Sequence, residues 1–265
     1  MSDFFQRVRQ ALQTSDVNQK LSLTRQAAAI SATLKKQRIL DGLGEVVDVF
    51  SPGRPAKPVL VQAGKLPKRA MGSVEGRIIM VHAIAHIEFN AINLALDAVQ
   101  RFEDMPLDYY HDWIRVAAEE AYHFELIRAH LRHLGGEYGD YPAHNGLWEM
   151  AETTAHDVLD RMALVPRVLE ARGLDVTPAI QKKMRHVGDE HGATLLDIIF
   201  KDEVGHVKVG SKWFRYVCKE RCLKPTETFF TLVEQHFPRG IDAGVNLEAR
   251  QDAGFSASEI KRLLA

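Results

Sequence analysis

Two Glu-x-x-His motifs stand in matching places along the chain, each 32 or 33 residues after an isolated glutamate. The first set is Glu88, then Glu120 and His123. The second is Glu170, then Glu203 and His206. The two sets are offset by 82 to 83 residues. A single such motif carries little: with 18 glutamates and 12 histidines in 265 residues, chance supplies roughly one Glu-x-x-His. The repeated spacing is what constrains the fold. One Glu from each of two helices, with a Glu-x-x-His from each of two others, is how a four-helix bundle holds two metal ions. The pattern therefore predicts an all-α chain built on an antiparallel four-helix bundle.

Hydrophobic periodicity places the first set. A helix is expected from about Ser73 to Phe102, apolar nearly all round, as a helix buried on every side must be. Pro106 stops it. A second helix follows from about Leu107 to Leu134, where Trp113, Val116, Ala117, Glu120, Phe124, Ile127 and Leu131 keep the spacing of a buried stripe. Glu120 falls in the middle of that stripe, with His123 one turn on. An ionised carboxylate in a dry core is too costly unless it is paired or bound to a metal.

The second set depends on where the chain turns. Gly135, Gly136, Gly139, Pro142 and Gly146 mark a loop long enough to cross a bundle. A third helix is expected from about Leu147 onward with Pro166 inside it. Proline costs about 3 kcal/mol in an undistorted helix, so a bulge or kink is expected there, a feature common at functional sites. GLDVTP, residues 173 to 178, has the composition of a helix stop and a Thr-Pro restart. A reversal at that point would strand Glu170 next to the turn and make Glu149, Glu152 or Asp157 the ligand. A reversal at Gly188-Asp189 puts Glu170 18 residues before it and Glu203 about 15 after. Glu88 and Glu120 stand 18 before and 14 after a turn near 106. The match favours a kinked third helix that resumes over 178–187, then a fourth helix with Asp189 as its N-cap, ending near Lys219.

Three segments are expected. Residues 1–72 hold two helices, with Asp16 and Gly42 near their ends, and then a Pro/Gly-rich arm. Residues 73–219 form the bundle. Residues 220–265 form a helical appendage: a short helix, a turn through HFPRGI and a final helix from Ser256. The arm over 54–69 carries Arg54, Lys57, Lys65, Lys68 and Arg69 and no acid, which reads as a solvated strap over the domain or, functionally, as a contact for an anionic partner such as nucleic acid. The whole chain has a net charge of -1 and a pI near 6.9, so no global pull toward nucleic acid or membrane follows. The N-terminus reads as an amphipathic helix without a signal-peptide core, and a cytoplasmic location is expected. Cys218 and Cys222 are the only cysteines and provide neither a disulfide framework nor a thiolate zinc site.

Four carboxylates and two imidazoles suit two iron ions, or manganese, better than zinc. Two divalent cations would balance the four carboxylates. Glu88 and Glu170 are expected as terminal ligands, Glu120 and Glu203 as bridges, and His123 and His206 as ligands to one metal each. Glu119 precedes His123 by four residues and Asp202 precedes His206 by four, so each is placed to accept the imidazole's other N–H. His82 and His86 on the first helix are expected in the core or behind the ligands. Asp157 and Arg161 crowd the third helix.

HAIAHIEFNAINLALD (82–97), VAAEEAYHFELIRAHL (116–131), YGDYPAHNGLWEMAETTAHD (138–157), LEARGLDVTP (169–178) and DEVGHVKVGSKWF (202–214) resemble a bacterial ferritin-like family catalogued as domain of unknown function 455. The resemblance implies a ferritin-like bundle with a di-iron centre at the six positions above. At the level of fold it also looks like tRNA hydroxylases and carboxylate-bridged oxygenases. The expected function is an O2-activating oxidoreductase (a hydroxylase, monooxygenase or oxidase) that takes a small organic substrate, O2 and an external electron donor. The alternatives are an iron-binding or peroxide-scavenging protein, and a tRNA-modifying hydroxylase-like enzyme. A monomer or small homo-oligomer without a membrane is expected, since the terminal segments obstruct packing into a closed shell.

Overall fold

The computed structural model describes residues 3–33, 51–238, 240 and 244–264. Among them the chain is helical, and the only strand-like pairing is an isolated parallel bridge between Leu60 and Ala143. It divides into two compact units, Met1–Glu149 and Met150–Ala265.

The first unit contains α1 (Asp3–Gln13), α2 (Val17–Ser31), α3 (Val74–Arg101) and α4 (Leu107–His133). Asp16 starts α2 by accepting a 2.7 Å hydrogen bond from the Gln19 amide. The Gly42 end expected for this helix lies outside the described residues. The buried Lys20 reaches back to close the end of α1, with Nζ 2.6 Å from the Ala11 carbonyl and 3.0 Å from that of Leu12. The arm docks here as well, with the Gly53 amide on the Leu12 carbonyl at 2.8 Å. It then runs on without helix apart from a 3-10 turn at Ala63–Lys65, pairing with the loop around Ala143 through Val61 and Val59. Prolines and glycines account for that form.

α3 begins where expected, with Ser73 capping the Gly76 amide. A side chain at Gly76 would collide with the Ala70 backbone, so glycine lets the arm cross the start of the helix. α3 and α4 pack along their length as a hairpin. The Tyr109 hydroxyl donates to the Ala98 carbonyl and the Tyr110 hydroxyl to that of Phe102, each at 3.1 Å, and these bonds tie the hairpin's closed end. By length and composition α3 is apolar enough to cross a membrane, but 78% of its most apolar window is buried within the protein.

The second unit carries α6 (Val158–Leu164), a π-helical turn (Val165–Glu170), α7 (Ala171–His186), α8 (Glu190–Glu220), α9 (Pro225–His236), α10 (Leu247–Asp252) and α11 (Ala257–Leu263). The short α5 (Gly146–Thr153) precedes it. The expected third helix differs in two respects, and its expected distortion at Pro166 is present. The helix is broken at residues 154–157, where the Thr154 hydroxyl bonds back to the Met150 carbonyl at 2.7 Å and Asp157 caps the Leu159 amide at 2.7 Å. The distortion at Pro166 takes the form of the π turn. Finally, the chain does not stop at GLDVTP: α7 runs through it with Pro178 inside.

Tertiary bonds explain that continuity. Pro178 has no N–H for the Leu174 carbonyl four residues earlier, and the Asn246 side chain donates to that carbonyl at 3.2 Å. Asp175 accepts from Arg250 at 2.5 Å and from the Asn246 amide at 2.9 Å. The reversal comes at Gly188, whose φ is +80, and Asp189 caps α8 through the Gly192 amide. The expected HFPRGI turn lies partly outside the described residues. α10 was not expected.

Candidate metal centre

The first set of residues converges inside the first unit. Glu120 and His123 are three apart on α4 and share a face, and α3 brings Glu88 to them. Exposures of 4% for Glu88, 1% for Glu120 and 0% for His123 place all three in the core. His123 Nδ1 lies 3.5 Å from Glu88 Oε2 and 3.4 Å from Glu120 Oε2. One donor atom from each residue falls within 4.8 Å of the others. Glu88 Oε2 makes no hydrogen bond of good geometry among the described residues. A buried carboxylate oxygen in that position is costly unless a cation meets it. Two hard oxygen donors and a borderline nitrogen around one point form a set that suits a divalent transition metal.

The electrostatics point the same way. Burial raises the Glu88 carboxyl to about 7, an effect that His123 opposes and Glu120 reinforces. At His123 burial lowers the pKa, but the Glu120 and Glu88 carboxylates outweigh it and hold the imidazole protonated to about 11. Without metal, then, a proton does part of the neutralising that a cation would do.

The second set lies in the second unit. His206 is fully buried on α8, and its Nδ1 is 3.5 Å from Glu203 Oε1 one turn earlier. Glu170 is half-buried and is the last residue of the π turn. The alternatives Glu149 and Glu152 are exposed, and the reversal at Gly188 removes the reason for choosing them.

The π turn is held from both sides. Pro166 packs against α8 where Gly210 leaves room for it. Arg167 is fully buried, with its guanidinium 4.6, 4.2 and 4.6 Å from the ring centres of Phe214, Phe229 and Phe255 and its Nη2 2.6 Å from Glu259 Oε1. Burial pushes the Glu259 carboxyl up, but Arg167 and the Ser256 end of α11 hold it below its ordinary value.

The residues expected behind the ligands are variously engaged. Glu119 accepts two 2.8 Å hydrogen bonds from Arg115. Asp202 is half-buried on α8. Asp157, the cap of α6, also pairs with Arg221 at 2.6 Å. Arg161 is buried and donates to Thr154 Oγ1 at 2.8 Å. His86 Nδ1 lies 2.9 Å from the Tyr138 hydroxyl, and the rings of His82 and His86 stack on Tyr138. Burial is the largest cause lowering His86, to about 4, so its imidazole is neutral. Tyr138 was missed from the sequence because it lies 52 residues from His86 in a loop with no periodicity.

The model of the family described as "Protein of unknown function (DUF455)" matches residues 13–261. The chain belongs to the DUF455 family. A relative described as "Uncharacterized protein" from Haemophilus influenzae is 42% identical, over 98% of this chain and 93% of its own length. No solved structure matches. Membership in DUF455 thus agrees with the resemblance carried by the motifs, and an uncharacterised family adds no substrate.

Proposed function

We propose that this DUF455 protein is a carboxylate-bridged di-iron protein of ferritin-like type and acts as an O2-activating oxidoreductase on a small organic substrate. The observation that carries the reading is the buried Glu88–Glu120–His123 cluster, repeated in the sequence by Glu170, Glu203 and His206 at the same spacing. In this reading Glu88, Glu120 and His123 would hold one ion and Glu170, Glu203 and His206 the other, with Glu120 and Glu203 as the residues that would serve both. A bound ferrous pair would supply two of the electrons that O2 requires, with the organic substrate supplying the other two and an external donor re-reducing the pair. The chain's own contribution is to give up the proton on His123, to neutralise the metal charge with carboxylates and to keep water from the buried face of α4.

The test is elemental analysis of protein purified from ordinary medium, followed by anaerobic ferrous loading and exposure to O2. About two irons per chain are expected, with a visible absorption change on oxidation. Zinc alone at one per chain would overturn the proposal. Metabolite and RNA-modification profiles of a deletion strain then separate the substrates. An oxygenated metabolite that disappears supports the reading. Loss of a tRNA modification points to a nucleic-acid substrate, and peroxide sensitivity with no lost product points to scavenging.

A further inference from the structure

Outside the metal centre, the first unit forms a partly open cavity of about 70 Å³ between the arm, α3 and the loop before α5. Leu66, Ile79, Ile87 and Leu147 form its apolar wall, and Arg69, His86 and Asn90 are its polar groups. Residues advance about 100° round an α-helix, so Asn90 stands about 200° from Glu88 on α3. The cavity therefore opens off the other side of the helix from the candidate metal ligands.

One of the polar groups lacks a partner that a finished core would supply, and another faces solvent without a counter-charge. Asn90 is 1% exposed. Its amide nitrogen donates to His86 Nε2 at 2.9 Å and to the His86 carbonyl at 3.0 Å. The carbonyl can only accept, which fixes the orientation of the amide. Asn90 Oδ1 is then left buried with no hydrogen bond among the described residues. A buried acceptor left in that state is costly and asks for a donor. Arg69 lines the cavity from its exposed side and pairs with no carboxylate among the described residues, so its guanidinium is open to an incoming anion.

We propose that this cavity binds a small organic acid bearing a hydroxyl or amino group, independently of the metal centre. The acid's carboxylate would meet Arg69 in a charge-assisted pair. Its hydroxyl or amine would donate to Asn90 Oδ1, and its carbon chain would lie along Leu66, Ile79 and Leu147. The size agrees: a water needs roughly 10–15 Å³ of such volume, so 70 Å³ takes about five to seven heavy atoms.

Lactate has that size and all three functions, and is the probe. Ligand-observed NMR titration of the full chain should give saturable binding in the millimolar range. Propionate, without the donor, should bind more weakly. Arg69→Gln should weaken lactate by about tenfold or more, the loss of one charged hydrogen bond. Ile87→Trp, which places a larger side chain at the mouth of the cavity, should abolish binding. Neither residue touches the metal cluster, so the metal content and thermal midpoint of both variants should stay at the parent's values, which separates this site from the proposed di-iron function. No lactate binding, equal binding of lactate and propionate, binding unchanged in Arg69→Gln or Ile87→Trp, or phosphate binding as tightly as lactate would each overturn the proposal.

Discussion

A Cβ added to Gly210 would lie 2.3 Å from Cγ and 2.4 Å from Cβ of Pro166. The proline has no flexible end to swing aside, so glycine on α8 is a condition for the π turn that ends at Glu170. Gly210→Ala should displace Pro166 and cost about 1–3 kcal/mol, as overpacking does. If Glu170 is a ligand, the variant should also hold less iron per chain. Gly205→Ala is the control on the same helix, since a Cβ there meets nothing within 4 Å. It should be neutral or stabilise by up to about 1 kcal/mol through helix propensity. Thermal melts with elemental analysis of both variants check this. Equal behaviour of the two would show that the close approach is not a constraint.

Arg167 and Glu259 form a buried pair beside that turn. Removing one partner of a buried pair leaves an uncompensated charge and costs about 3–5 kcal/mol. Glu259→Gln is the milder form, because the amide can keep the cap of α11, and should fall near the low end of that range. The double variant Arg167→Met with Glu259→Gln should recover most of the loss, since the three phenylalanines would then surround an apolar side chain. Urea unfolding of the four proteins gives the coupling. Additive losses would mean that the pair does not act as a unit.

The helix starts were legible because the caps are local. Ser73, Asp189 and Ser256 each accept from an amide three residues on, and the sequence shows such residues directly. The convergence of Glu88, Glu120 and His123 was legible because helical spacing is regular and an acid in an apolar stripe needs a reason. The reversal is rightly placed at Gly188, but GLDVTP reads by composition as a stop and restart, because the continuity of the helix through it is decided elsewhere. Asn246 takes the carbonyl that Pro178 frees and Arg250 takes Asp175, some 70 residues away along the chain. The break at 154–157 was hidden because a single Asp157 cap and the Thr154 hydroxyl interrupt an otherwise helical composition. Asn90 and Tyr138 matter through neighbours that no spacing reveals.

Lys20 makes a pH prediction. Burial, with help from Arg54, lowers its pKa from 10.5 to about 7. Between those values the unfolded chain holds a proton at Lys20 that the folded chain has released. Stability from this residue therefore rises with pH across the window, by up to about 1.4 kcal/mol per pH unit, and is lost as pH falls toward 7. Other groups titrate in the same range, so the difference between parent and Lys20→Met carries the test. Urea midpoints should diverge in the parent's favour from pH 7 to pH 10. A constant difference would show that Lys20 stays charged in the fold.

The last prediction concerns the carboxylates proposed as bridges. Glu120→Ala and Glu203→Ala should bind little iron while keeping most of their helix content, since each removes a ligand shared by both proposed ions. The fold should survive because the interior of the α3–α4 hairpin rests on Trp113, Phe124, Ile127 and Leu131, all at most 2% exposed. Truncating Glu120 also removes a buried charge, but it leaves the protonated His123 with Glu88 alone, so the metal-free variant should differ from the parent by no more than about 1–4 kcal/mol in either direction. Ferrous iron should raise the parent's thermal midpoint, because a ligand that binds only the native state stabilises it by mass action. It should leave both variants nearly unmoved. Arg115→Gln, which breaks the exposed pair with Glu119 without touching the cluster, should respond to iron as the parent does. Variants at Glu120 or Glu203 that take up two irons and melt like the loaded parent would show that these residues are not ligands, and the di-iron reading would fall with them.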